Sequence, residues 1–134
     1  MSGSFGYELD LSRLDGEERE EIRRQVGDFH RFAPLVRQGE YYRLSNPFTD
    51  GLAAWAHVSQ DKGEALVCAV LLEMHGNMTD VYVGVKGLAE GCLYRDEETG
   101  RLYPSDALAE LGLPLEGPLG QYRSFRWHLV KCEA

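Results

Sequence analysis

The sequence predicts a mainly β fold: an antiparallel β-sandwich of Greek-key type preceded by one N-terminal α-helix. Three observations predict it. The apolar period is three to four residues up to Gly39 and two residues beyond it. After Gly39, short β-rich runs follow one another across turns rich in glycine, asparagine and aspartate. The length, 134 residues, suits one domain or one with a short appendage, so these runs share a single core. Many short strands on close turns favour a sandwich or barrel.

The elements follow in order. FGYELDL alternates, with Tyr7, Leu9 and Leu11 on one side and Glu8 and Asp10 on the other, which predicts a short strand or extended segment over 5–11. Asp15 with Glu18 three residues on reads as a capping box opening a helix. Its early turns are acidic and its later ones carry Arg23, Arg24 and Arg31, which suits the helix dipole. Ile22, Val26, Phe29, Ala33 and Val36 form its expected apolar stripe. Pro34 is expected to break or kink the helix near Ala33, and Gly39 to end it. Strands are expected at Tyr41–Leu44, Ala53–Ser59, Glu64–Leu72, Val81–Lys86, Cys92–Asp96, Arg101–Tyr103 and Arg123–Val130. The intervening turns are Asp61-Lys62-Gly63, His75-Gly76-Asn77, Glu98-Thr99-Gly100 and Leu119-Gly120. A loop is expected at Asn46–Gly51, and a helical turn at Ser105–Leu111 capped by Ser105 or Asp106.

Composition excludes several classes. Fourteen basic against 22 acidic residues leave a net charge of −8, so no basic stripe exists for phosphate and nucleic acid is not an expected partner. Cys68, Cys92 and Cys132 are odd in number and widely spaced, which favours reduced thiols and a cytoplasmic setting over a disulfide framework. The longest apolar run, Ala65–Leu72, is too short to span a bilayer, and residues 1–30 lack the basic and apolar regions of a signal peptide. No membrane association is expected.

Chemistry-bearing patterns are sparse. His30, His57, His75 and His128 show no HExxH and no i,i+4 pairing, so no metal ligands are expected. His128 falls on the polar face of an alternating strand with Ser124 and Arg126, and reads as a solvated or interface histidine. Asp96-Glu97-Glu98 is expected at a solvated hairpin tip, where no carboxyl acquires the raised pKa of a general acid. Glu8 and Asp10 share a strand face but no pocket. Tyr41, Tyr42, Trp55, Tyr82, Tyr94, Tyr103, Tyr122 and Trp127 would form either core or a sugar-stacking platform.

GSFGYELDLSRLDGEEREEIRRQ, GEYYRLSNPF, AAWAHVSQDKGEALV, YRDEETGRLYPSDALAELGL and QYRSFRWHL, taken in this order, resemble the C-terminal end of family-36 glycoside hydrolases, the bacterial α-galactosidases. The first stretch resembles that family's last barrel strand and helix. The other four resemble successive parts of its C-terminal β-sandwich. Gln121 and Pro34 are local departures from the family pattern.

The resemblance implies two parts. Residues 1–39 would be the last strand and helix of a (β/α)8 barrel, incomplete here, and residues 40–134 the C-terminal β-sandwich domain. The parent enzyme would hydrolyse terminal α-galactosides of oligosaccharides such as melibiose and raffinose. Its nucleophilic and acid/base aspartates would lie on earlier barrel strands, and no position here matches either motif. No catalytic, cofactor-binding or metal residue is therefore expected, and no cofactor. The expected partners are the parent's catalytic barrel and a second copy, met through the N-terminal helix. The alternative is an independent carbohydrate-binding β-sandwich.

Overall fold

The computed structural model describes residues 5–73, 81–117, 120 and 122–133. A 3-10 turn, Leu11–Arg13, precedes the long helix α1, Gly16–Gln38. Then come β1 (Glu40–Arg43), a short helix α2 (Pro47–Asp50), β2 (Leu52–Val58) and β3 (Glu64–Leu71). The remainder is β4 (Tyr82–Val83), β5 (Leu93–Asp96), β6 (Leu102–Pro104), α3 (Ser105–Glu110), β7 (Leu113–Pro114) and β8 (Ser124–Lys131). A six-stranded sheet runs β1-β2-β3-β8-β5-β6, and β4 pairs with β7 in a second, two-stranded sheet. Every pairing is antiparallel. The insertion of the last strand, β8, between β3 and β5 is the Greek-key feature.

Register puts the apolar alternation on one face. Leu52, Ala54, Ala56 and Val58 of β2 stand opposite Leu71, Ala69, Val67 and Ala65 of β3. Val67 and Ala65 in turn face Trp127 and Leu129 of β8. This inner face packs with Tyr94, Val83, Val85, Leu108, Leu113 and Leu115 into the main core. The small alanines of β2 and β3 leave room for Trp127 and Tyr94. Gly112, between α3 and β7, has φ +102, and a Cβ there would sit 2.3 Å from the Val83 carbonyl oxygen. Only glycine lets the two-stranded layer close on α3.

The opposite face of the large sheet carries α1. The capping box forms as expected, with Asp15 accepting from the Glu18 amide at 2.8 Å and Glu18 from the Asp15 amide at 3.0 Å. The helix does not break at Pro34 but continues to Gln38. Pro34 and His30, whose carbonyl loses its partner, both lie on the exposed side of the helix. Phe32, Ala33 and Leu35 around the proline are buried and hold the backbone helical. The anchoring face is thus Phe32 and Leu35 on Leu66, about one residue out of phase with the expected stripe. Ile22, Val26 and Phe29 remain half-buried. Gly39 ends the helix for close approach rather than for a left-handed turn. Its φ is −74, and a Cβ would lie 2.4 Å from the Leu35 carbonyl oxygen and 2.9 Å from that of Val58.

Other expectations are corrected. Residues 5–11 are an extended segment rather than a strand, because among the described residues no neighbouring strand offers them a ladder. They lie antiparallel to α1 instead. Phe5 stacks on Phe29 at 5.0 Å, Tyr7 donates its hydroxyl to Gln25, and the Leu11 carbonyl accepts from Arg19 at 3.1 Å. The loop after Asn46 contains a helical turn, with Asn46 accepting from the Phe48 amide and Pro47 in the first turn. The expected strand 81–86 shortens to β4, because the Val85 amide bonds the Leu108 carbonyl of α3 instead. Neither Ser105 nor Asp106 caps α3; Pro104 takes the cap position, and the Ser105 hydroxyl accepts from the Cys92 amide. The expected turn at 75–77, Leu119 and Gln121 lie outside the described residues.

Candidate functional site

The densest set of polar side chains lies at the seam between α1 and the outer face of the sheet. Alternation on β8 turns Arg126 and His128 outward, away from Trp127 and Leu129. Helical spacing brings Asp28, Arg31, Phe32 and Leu35 down onto them. Arg31 donates to His128 Nδ1 at 2.9 Å, and His128 Nε2 stands 2.9 Å from Glu64. A guanidinium only donates, so Nδ1 is the acceptor and the Nε2–H donates to Glu64. That selects the neutral Nε2–H tautomer. The Phe32 ring meets the imidazole edge-on at 5.0 Å.

Arg126 forms the second half of the seam. It bonds Asp28 at 3.1 Å and Glu98 at 2.7 Å, and its guanidinium lies 5.1 Å from the Phe32 ring centre. Burial works against its charge, but the bonds to Glu98 and Asp28 outweigh that and raise its pKa further. Cys68, opposite Arg126 on β3, has its thiol pKa pushed up by burial and stays protonated. Each group is occupied in holding the helix to the sheet. Among the described residues the seam presents no nucleophile beside a base.

The remaining polar residues of the sequence reading scatter. Asp96 is a correction: expected on a solvated tip, it is 1% exposed, facing Leu129 from the core side. It accepts from Thr99 Oγ1 at 2.8 Å and the Glu98 amide at 3.2 Å, which shapes the β5–β6 turn. Glu97 pairs with Arg95. Glu8 is exposed, and Asp10 accepts from the Ser12 hydroxyl and amide, which lower its pKa. His30 is exposed on α1, while His57 is buried and its pKa lowered by that burial. His128 is an interface histidine rather than a solvated one. Among the described residues no three His, Cys, Asp or Glu side chains converge as a metal site would require. Of the aromatics, Tyr94 and Trp127 are core, and Tyr41, Tyr82 and Tyr122 are exposed on separate elements.

Alongside the seam, the outer face holds an open groove of about 470 Å³, floored by Leu66, Cys68 and Val70 and bordered by Trp55, Glu98 and Arg126. The sequence reading missed both the groove and the ionic seam. The signal available was Asp28, Phe32 and Leu35 at helical spacing, together with Arg126 and His128 on a strand face opposite apolar Leu66 and Cys68. Among the described residues no helix is long and apolar enough to cross a membrane.

A six-stranded antiparallel sheet under a two-stranded second layer, with a helix clamped to its outside, defines a β-sandwich domain with an appended helix. The chain belongs to glycosyl hydrolase family 36: the model of that family's C-terminal domain matches residues 52–129. The bifunctional α-galactosidase/sucrose kinase AgaSK of Mediterraneibacter gnavus is 39% identical over 99% of this chain and 14% of its own length. The α-galactosidase AgaA of Geobacillus stearothermophilus is 36% identical over 96% of this chain and 18% of its own. Among solved structures, AgaB of the same organism superimposes with a TM-score of 0.89 at 37% identity, covering 98% of this chain and 18% of that one. The galactosidase domain of AgaSK gives 0.88 at 38% identity, over 96% and 18%. The chain therefore spans less than a fifth of these relatives.

Proposed function

We propose that this chain is the non-catalytic C-terminal part of an α-galactosidase, bracing the catalytic barrel. Residues 1–39 would supply the barrel's last strand and helix, and residues 40–134 the sandwich domain. The observation that carries the reading is the packing of residues 5–38: an alternating segment running antiparallel to the helix that follows it, as in a βα unit. The segment's exposed Leu9 and Leu11 are apolar surface of the kind a neighbouring strand covers. The match to the family's C-terminal domain model, and to a small part of enzymes five or more times the chain's length, supports the same reading.

In this reading the parent hydrolyses terminal α-galactosides in the cytoplasm, with both carboxylates supplied outside this chain. In the parent the half-buried Ile22, Val26 and Phe29 would pack against barrel strands, and in the separate chain the same face would meet a second copy. The purified chain should release no nitrophenol from an aryl α-galactoside above buffer. Turnover that persists through purification and disappears on Glu8→Ala or Asp10→Ala would place a catalytic site here and end the reading.

A further inference from the structure

The groove beside the seam is continuous with the interface that α1 already makes. Cys68 belongs to both, packing against the Phe32, Leu35 and Leu66 cluster on one side and lining the groove, half-buried, on the other. Arg126 spans the boundary, bonding Asp28 of α1 and Glu98 at the groove's border. From Trp55 on β2 across β3 and β8 to Glu98 is three interstrand steps of about 4.8 Å, or roughly 14 Å. A helix with its side chains is about 10–12 Å across, so the width admits one helix and little more.

We propose that this groove seats a second helix of the catalytic barrel, the one lying beside α1 in its outer ring. The inference rests on the function proposed above. Helices packed side by side run about 8–10 Å apart, and both then rest on the same sheet face. The half-buried Cys68 and Val70 of the floor, with Trp55 as a wall, call for an apolar stripe on that helix. Glu98 at the border is already bonded to Arg126, so the call for a basic flank beside the stripe rests on the net charge of −8. The sandwich thus grips two adjacent helices of the ring, which fixes its rotation about α1 where one helix alone would leave a hinge.

The test replaces the C-terminal segment of G. stearothermophilus AgaA with this whole chain and follows maleimide labelling of Cys68 by peptide mass mapping. In an active chimera, Cys68 should label at least tenfold more slowly than in the separate chain. Val70→Glu should return labelling to the separate chain's rate and shorten the chimera's thermal half-life several-fold, whereas Phe48→Glu, on the far turn, should do neither. An active chimera whose Cys68 labels as fast as in the separate chain overturns the groove proposal and leaves the C-terminal-domain reading standing. Cys68 that becomes protected in the separate chain as concentration rises assigns the groove to a second copy and overturns it too. A chimera with no soluble activity, beside active AgaA prepared identically, removes the reading and this inference together.

Discussion

Phe32→Ala should detach α1 from the sandwich while leaving the sandwich folded. Phe32 is 2% exposed and packs with Leu35 on Leu66 in a cluster separate from the main core across the sheet. Burying Phe32 and Leu35 contributes about 1.5–3 kcal/mol each, so the apolar part of the docking is roughly 3–6 kcal/mol. Truncating a buried phenylalanine costs about 3–5 kcal/mol, most of that docking energy. The half-buried ion pairs of Arg126 contribute about 0–1 kcal/mol apiece and do not replace it. The main core between the sheet's inner face and the layer above it, sixteen buried apolar residues among those described, is untouched by the change. Hydrogen exchange read by mass spectrometry should therefore show residues 28–38 exchanging nearly freely, with β2 and β3 keeping most of their protection. Equal loss of protection in helix and sheet would mean that the two form one cooperative unit, and would refute the argument.

Trp127→Ala, at a site 8% exposed in the main core, should cost about 3–5 kcal/mol in urea melts; a loss under about 1 kcal/mol would place the indole on the surface. Burial holds the His57 pKa below its ordinary 6.5, so as pH falls the unfolded chain takes up the proton first. Its contribution is complete above pH 6.5 and declines as pH drops from there towards the folded-state value, by at most about 1.4 kcal/mol per unit. Melts at pH 8 and pH 5 should show His57→Gln losing less stability on acidification than the parent chain. The separate chain should dimerise through Ile22, Val26 and Phe29, and Val26→Asp with Phe29→Asp should make it monomeric. Light scattering that finds a monomer at high concentration with or without the two changes would dispose of that contact.

What was legible in the sequence was local or periodic. The Asp15–Glu18 box, the long runs of β2, β3 and β8, and the tight turn at Asp61-Lys62-Gly63 are set by neighbours along the chain, and each appears where the pattern puts it. Distance defeated the rest. β7 is two residues, and β4 is cut to two because Val85 bonds α3 instead of another strand. Pro34 reads as a breaker until Phe32 and Leu35 are known to be buried on either side of it. Asp96 reads as solvent-exposed until the turn closes over its carboxylate. The segment 5–11 alternates like a strand, but a strand needs a neighbour and this chain presents none to it among the described residues. The seam was invisible for the same reason: Arg31 and His128 stand 97 positions apart, and no local period links them.

The central claim is that the chain completes an α-galactosidase without contributing to its chemistry. It is tested most directly by α-galactosidase activity and thermal half-life in three preparations: AgaA truncated before the segment matching this chain, the same truncation fused to this chain, and this chain alone. The fusion should recover soluble activity that the truncated protein lacks, and the chain alone should show none. A fusion no more active or durable than the truncated protein, or turnover by the chain alone, would contradict the account.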